Sequence, residues 1–367
     1  MNPSRLPRLL NLISATGLDA LVLNPGPTLT YMTGLNFHLM ERPVVLIITL
    51  DAPPVLILPE LEALKLAQSN IPLKGFTFGE NPLTWGEVFR RAWQELKLDG
   101  KNVGVEPTRL RYLELRLLES STTAHFVNGD AVVSGMRMVK EAGEIENMRQ
   151  AVRIAQEALL AILPSIKPGK TELEIASRLT ARMLEGGSEP EMPFSPIVSG
   201  GPNSANPHAV PTERPLQNGD LLVIDWGAAY HGYFSDLTRT FAIGKVEDEY
   251  HLIASIVEQA NAAGRASAKP GMPAGEVDQV TRKVIVDAGY GKYFTHRTGH
   301  GLGMEGHEPP YIFAENTQVL SKGMSFTVEP GIYLPGRGGV RIEDNVVITE
   351  NGSETLSTLP RQLQILG

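Results

Sequence analysis

The chain contains no cysteine in 367 residues. That excludes disulfides, thiolate nucleophiles and thiolate metal sites, so any metal has to be held by histidine and carboxylate. It has no apolar run approaching the roughly 20 residues needed to cross a bilayer. It also has no surplus of positive charge. Lys+Arg of 33 against Asp+Glu of 41 leaves a net charge of −8, which argues against non-specific attraction to nucleic acid or anionic lipid. The N-terminal stretch LPRLLNLISATGLDALVL reads as an amphipathic helix entering a strand, not as a signal peptide with a cleavage site. The expected compartment is the cytoplasm, with neither nucleic acid nor membrane as a partner.

What is present is a pair of look-alike stretches, Leu216–Phe241 and Leu320–Ile348. Setting Leu216 on Leu320 also sets Gly219 on Gly323, Asp225 on Glu329 and Gly227 on Gly331, a constant offset of 104. Each copy then supplies a second acid, Asp236 in the first and Glu343 in the second. If each copy is a β-hairpin with acid facing acid, the turns centre on Tyr230-His231 and on Gly336 within PGRGG, where turn chemistry is plausible. Cross-strand neighbours sit about 4.5–5.5 Å apart, and like charges there are destabilising. Two such hairpins need a cation between them.

Length alone suggests about two domains. Residues 1–133 alternate helical and strand signals: a helix over Arg5–Thr16, strands at Ala20–Leu23, Pro43–Leu50, Pro54–Leu58 and Asn102–Val105, and helices over Thr84–Leu98 and Thr108–Leu118. This small α/β domain carries no chemical motif of its own. His38, Glu41 and Arg42 fall in a loop, which reads either as plain surface or as a functional segment.

Residues 134–367 form the second domain, opened by a long helix with Met148, Val152, Ala155, Leu159 and Ile162 on one face and stopped by Pro164. The duplication continues here. The stretch from Ile166, IKPGKTELEIASRLTARMLEGG, aligns with the stretch from Ala268, AKPGMPAGEVDQVTRKVIVDAG, at an offset of 102. Each is a loop into a helix that ends at glycine. The domain is thus read as two helix-then-hairpin units related by an approximate twofold, with a shared site between them.

Of the eight histidines, His208 lies in NPHAVPTERPLQNGD, and His300 and His307 lie in HRTGHGLGMEGHEPP. The remaining five, His296 included, have no repeated context. The glycines around His300 permit close backbone approach; a phosphate loop is the competing reading, but no lysine-serine ending follows and the nearby acids would repel phosphate.

The strings VIDWGAAYHGYFSDLTRTF, TGHGLGMEGHEPP, TVEPGIY and VRIEDNVVIT resemble the signatures of the pita-bread metallopeptidases: prolidase (Xaa-Pro dipeptidase), aminopeptidase P and, more distantly, methionine aminopeptidase. The N-terminal part resembles the creatinase/prolidase N-terminal domain in layout more than in motif. The fold implied is α/β (α+β), a small creatinase/prolidase-type domain followed by a pita-bread domain of two pseudo-symmetric halves.

The resemblance further implies a dinuclear site in which Asp225 holds one metal, Asp236 and Glu343 bridge both, and His300 and Glu329 complete the second. Four carboxylates and one imidazole suit Mn²⁺ or Co²⁺, with Fe²⁺ or Zn²⁺ as alternatives. Such ions make a water reactive toward a carbonyl. Glu329 is then the acid/base, and His208 and His307 steady the oxyanion or hold the peptide. Strand alternation puts Arg341 on the face of Glu343 and Thr238 on the face of Asp236, where either orients a ligand; an exposed strand position is the other reading of Arg341.

For substrate, small peptides with proline in second position are implied. Arg297 is the candidate partner for a dipeptide's C-terminal carboxylate, and His38 matches a loop that lines the partner subunit's pocket in similar bacterial prolidases, which makes a homodimer the expected assembly. Some prolidases carry an arginine soon after the second histidine, where this chain has Pro309-Pro310-Tyr311. The reading favours Xaa-Pro dipeptidase. Alternatives are an aminopeptidase P acting on longer peptides, a metal-free creatinase-like hydrolase, and a non-catalytic protein-binding relative.

Overall fold

The computed structural model describes residues 5–367. They fall into two compact units, one ending at Arg137 and the other spanning Met138–Gly367. The division lies a little beyond Ser134 because helix Asp130–Arg137 is tied into the first unit: Arg8 Nη2 donates to Gly135 O, and Arg137 Nη1 donates to the buried Thr28 Oγ1. The first four residues of the span read as domain one lie outside the described residues.

The first unit is built on a mixed sheet whose strands run, in spatial order, Lys74–Phe78, Val55–Pro59, Val45–Thr49, Ala20–Leu23, Asn102–Val105 and His125–Asn128. Its inner strands are continuous apolar runs buried along their length, as expected of strands covered on both faces. Helix Trp85–Leu96 buries Trp85, Val88, Phe89, Ala92, Trp93 and Leu96 at helical spacing. The two outer strands, Lys74–Phe78 and His125–Asn128, are largely exposed, and their weak apolar pattern left them unread in the sequence.

The second unit repeats itself. Helices Glu172–Glu185 and Ala274–Asp287 have the same 14-residue length. Each is preceded by a glycine in the left-handed region, Gly169 (φ 88°) and Gly271 (φ 82°), and followed by another, Gly187 (φ 97°) and Gly289 (φ 87°). Gly169 N–H donates to Leu216 O and Gly271 N–H donates to Leu320 O, both at 2.9 Å. Helix and hairpin are therefore fastened by the same bond in each half.

The second hairpin has the expected register. Strands Ser325–Val328 and Asp344–Ile348 continue into Gly331–Leu334 and Gly338–Arg341 with one pairing rule, which sets Glu329 opposite Glu343 about a turn centred on Gly336. The first hairpin departs from expectation. Asp225 pairs with Thr238, and Tyr230 with Tyr233, so the turn is His231-Gly232 and not Tyr230-His231. Both of its central residues have positive φ, 49° and 75°, the combination a two-residue type I′ turn requires. Glycine meets that demand without strain and tyrosine would not. The register shifts by two, so Asp236 stays on the face of Asp225 but lies diagonal to it.

The halves meet at a bridge between Thr238 and Glu343, where Glu343 N–H donates to Thr238 O at 3.1 Å. On the far face of the same strand Asp344 is fully buried and ringed by guanidiniums: Arg239 Nη2 at 2.8 Å, Arg361 Nε at 2.7 Å and Arg265 Nε at 3.4 Å. Burial pushes this carboxyl up, but Arg239 and Arg361 outweigh it and hold its pKa at about 2. Among the described residues no helix is long and apolar enough to cross a membrane.

Because the folded pKa of Asp344 is depressed from 3.8, its stabilisation is complete above the unfolded value and is lost as pH falls toward about 2. Asp344→Asn should cost about 3–5 kcal/mol at neutral pH by leaving buried guanidinium uncompensated. Urea unfolding of both proteins against pH checks this: the gap between them should be constant above about pH 5 and narrow below about pH 4.

Candidate metal centre

Strand pairing and the interhairpin bridge bring Asp236, His300 and Glu343 together with one ligand atom of each within 4.8 Å of the others, all three buried. Glu329 joins them, its Oε1 lying 3.3 Å from His300 Nε2, while Asp236 Oδ2 is 3.7 Å from the same nitrogen. The tautomer of His300 follows from its other contact. Nδ1 is 3.1 Å from Gly301 O, a carbonyl that can only accept, so Nδ1 carries the proton and the lone pair of Nε2 faces the acids.

Asp225 completes the set from the first hairpin. Its Oδ2 accepts from Arg341 Nη2 at 2.7 Å, and its buried Oδ1 has no hydrogen-bond partner. A buried carboxylate oxygen left open among further acids is the arrangement expected of a cation ligand. Electrostatics agrees. Burial raises the pKa of Asp236 and Glu343 well above ordinary carboxylate values, and repulsion from neighbouring acids adds to it in both. Burial likewise lifts Glu329 to about 7 and raises Asp225 against the pull of Arg341. His300 is pushed down, first by burial and then by His307, which keeps its imidazole neutral. Divalent cations fit this donor set: they offset the charge of the acids and use the neutral Nε2.

The residues around these acids form one polar network. Arg341, buried, donates Nε to Thr238 Oγ1 (3.1 Å) and Nη1 to the Tyr333 hydroxyl (3.0 Å), and Thr238 Oγ1 donates to Glu343 Oε2 (2.7 Å). Tyr333 in turn lies 2.8 Å from His296 Nε2, and His296 Nδ1 lies 2.7 Å from Arg297 O. Since that carbonyl must accept, the Tyr333 hydroxyl donates to Nε2. Burial pushes His296 down to about 4 and Tyr333 up to about 12, so both are neutral at physiological pH. Asn345 bonds both backbone groups of Asp236, accepting from its N–H at 3.1 Å and donating to its carbonyl at 2.6 Å.

His296, Tyr333 and Asn345 were not among the residues singled out from the sequence. The signal was there for Tyr333. Glu329, Gly331 and Tyr333 share a strand face by period two, and a Cβ on Gly331 would lie 2.4 Å from the Tyr333 hydroxyl, so the glycine makes room for the ring. His296 lies in irregular backbone ahead of strand Gly299–Gly301, where strand alternation gives no signal.

The segment bearing His296 and Arg297 is fixed from outside. Buried Asp278 Oδ1 accepts from Thr298 N–H at 3.0 Å, and Arg282, paired with Asp278, donates to the carbonyls of Phe294 and His296. Thr298 O accepts from Glu329 N–H at 2.8 Å. The rings of His307 and His300 lie 3.7 Å apart, and Arg297 Nη2 is 3.3 Å from His307 Nδ1. Glu308, next to His307, forms a buried ion pair with Lys140 at 2.6 Å. His208 is exposed in the loop after Ala205, close enough to act electrostatically on Asp225, His296 and His307. His38 is exposed in a loop of the first unit, where Arg111 Nη1 binds Met40 O and Arg42 binds Glu41 and Glu80.

Comparison with known proteins identifies the family. Residues 146–350 match the model of metallopeptidase family M24, and residues 5–139 match the creatinase/prolidase N-terminal domain. The chain is 34% identical over 360 residues to an Xaa-Pro dipeptidase of Pyrococcus horikoshii, covering 98% of each. Among solved structures it resembles a dipeptidase of Pyrococcus horikoshii (35% identity, TM-score 0.92, covering 99% of this chain and 100% of that one). It also resembles an X-Pro aminopeptidase of Thermotoga maritima (34%, TM-score 0.85, 98% and 99%). With both domains matched along nearly their whole length, the chain belongs to metallopeptidase family M24, whose divalent-metal chemistry its buried acids and neutral imidazole are suited to serve.

Proposed function

We propose that the chain is an Xaa-Pro dipeptidase working with two divalent ions, Mn²⁺ or Co²⁺ in preference to Fe²⁺ or Zn²⁺. The observation that carries the reading is the buried convergence of Asp236, His300 and Glu343 with Glu329 and Asp225. Asp225, Asp236, His300, Glu329 and Glu343 would hold these ions. When bound, the ions supply an acidified water and a polarised scissile carbonyl.

The chain's own groups do the rest. Glu329 relays a proton toward the leaving proline nitrogen. His208 and His307 steady the oxyanion or the peptide from the open side. Arg341 and Thr238 keep Asp225 and Glu343 in orientation through the bonds described above. Arg297 receives the free carboxylate of the dipeptide, a task for which a planar guanidinium is suited. The chain acts as a homodimer in the cytoplasm, with the His38 loop of one copy lining the pocket of the other. An aminopeptidase P is the second reading, favoured by the Pro309-Pro310-Tyr311 sequence where some prolidases carry an arginine.

Asp225→Ala and Glu343→Ala should each lose bound metal and hydrolysis together, read by elemental analysis and by proline release; either activity surviving alone contradicts the ligand assignment. His307→Ala should keep metal content near normal while kcat falls by about 10²-fold, the scale of one lost oxyanion or proton-transfer contact. Arg297→Ala should raise KM for an Xaa-Pro dipeptide more than for the matched Xaa-Pro-Xaa tripeptide. Equal effects on the two substrates would move the reading to aminopeptidase P.

A further inference from the structure

We infer that Tyr311 is the specificity-determining residue that sets the preference for a free C-terminal carboxylate, by holding Arg297 against its ring; this rests on the Xaa-Pro reading above. The Arg297 guanidinium carbon sits 4.4 Å from the Tyr311 ring centroid. The backbone keeps the two side by side, since Thr298 N–H donates to Ile312 O at 2.9 Å, fastening the residue after Arg297 to the residue after Tyr311. Along strand Glu308–Ile312 the even positions are buried, while Pro309 and Tyr311 are only partly so. Alternation therefore turns the Tyr311 ring away from the core and toward Arg297.

The partners of Arg297 set it apart. Other arginines near the centre have an acid partner: Arg341 has Asp225, Arg282 has Asp278, and Arg239, Arg265 and Arg361 share Asp344. Among the described residues no acid forms an ion pair with Arg297, whose contacts are the Tyr311 ring and His307 Nδ1. A ring satisfies a guanidinium through its face and leaves free the in-plane N–H donors other than the one at Nη2 that faces His307. Those donors are the ones that grip a carboxylate in a forked pair. Tyr311 thus orders a long, flexible side chain in advance without consuming the groups that read the substrate.

The test is a double-mutant cycle on metal-loaded enzyme with two substrates, an Xaa-Pro dipeptide and its C-terminal amide. Tyr311→Leu should lower the acid-to-amide ratio of kcat/KM about tenfold, through KM for the acid, on the scale of a lost cation–ring contact. Tyr311→Phe, which keeps the ring, should stay within about twofold of the parent ratio. Arg297→Ala with Tyr311→Leu should be no worse than Arg297→Ala alone. Equal losses on acid and amide, a Phe variant as impaired as the Leu variant, or additive effects in the double variant would each overturn the inference. A parent enzyme that cleaves neither substrate would instead overturn the Xaa-Pro reading on which it stands.

Discussion

Mutual repulsion among buried carboxylates is the constraint on which the second unit is organised. Asp225, Asp236, Glu329 and Glu343 are brought within reach of one another in a sheet interior, where burial alone already disfavours their ionised forms. A fold that only needed stability would fill that space with apolar side chains. This one surrounds the acids with groups that hold them in place without neutralising them as a set. Arg341 takes one oxygen of Asp225, Thr238 takes one oxygen of Glu343, and Asn345 fixes the backbone of Asp236. Asp225 Oδ1 is left without a hydrogen-bond partner, and Nε2 of His300 faces Asp236 and Glu329.

The duplicated architecture brings the acids together. Each half delivers its hairpin from a helix fastened through the same glycine N–H bond, and the two hairpins meet at Thr238 and Glu343. The halves are not chemically equivalent. In the second, acid faces acid across the strands; in the first, Thr238 occupies the facing position and the second acid moves to the diagonal. That exchange puts a hydroxyl between Arg341 and Glu343, so that one guanidinium reaches acids of both halves.

Much of this was legible in the residues themselves. Offsets of 102 and 104 disclosed the duplication because helix length and the glycines at each end are the same in both copies. Alternation found Arg341 and Thr238, since a period of two holds wherever a strand is straight. The first turn was misplaced because Tyr-His and His-Gly differ by one residue, and only the pair of left-handed conformations at His231 and Gly232 decides between them. His296 has no repeated context and lies in irregular backbone before strand Gly299–Gly301, so no periodicity reports it. Asn345 and Asp278 act on partners 109 and 20 residues away, and nothing in local pattern reports such a contact. The outer strands of the first unit leave little to read: no residue of His125–Asn128 is buried, and Lys74–Phe78 buries only Phe76 and Phe78.

The central claim is that the acids converge in order to hold divalent ions. Equilibrium dialysis of the chelator-treated chain against Mn²⁺ or Co²⁺ at neutral pH, with peptidase rate read on the same samples, tests it most directly. The account predicts saturation at about two ions per chain, the count of a two-metal site, with activity rising as the sites fill. A folded chain that takes up no ion at millimolar concentration, or that hydrolyses its peptide at full rate without one, would contradict it.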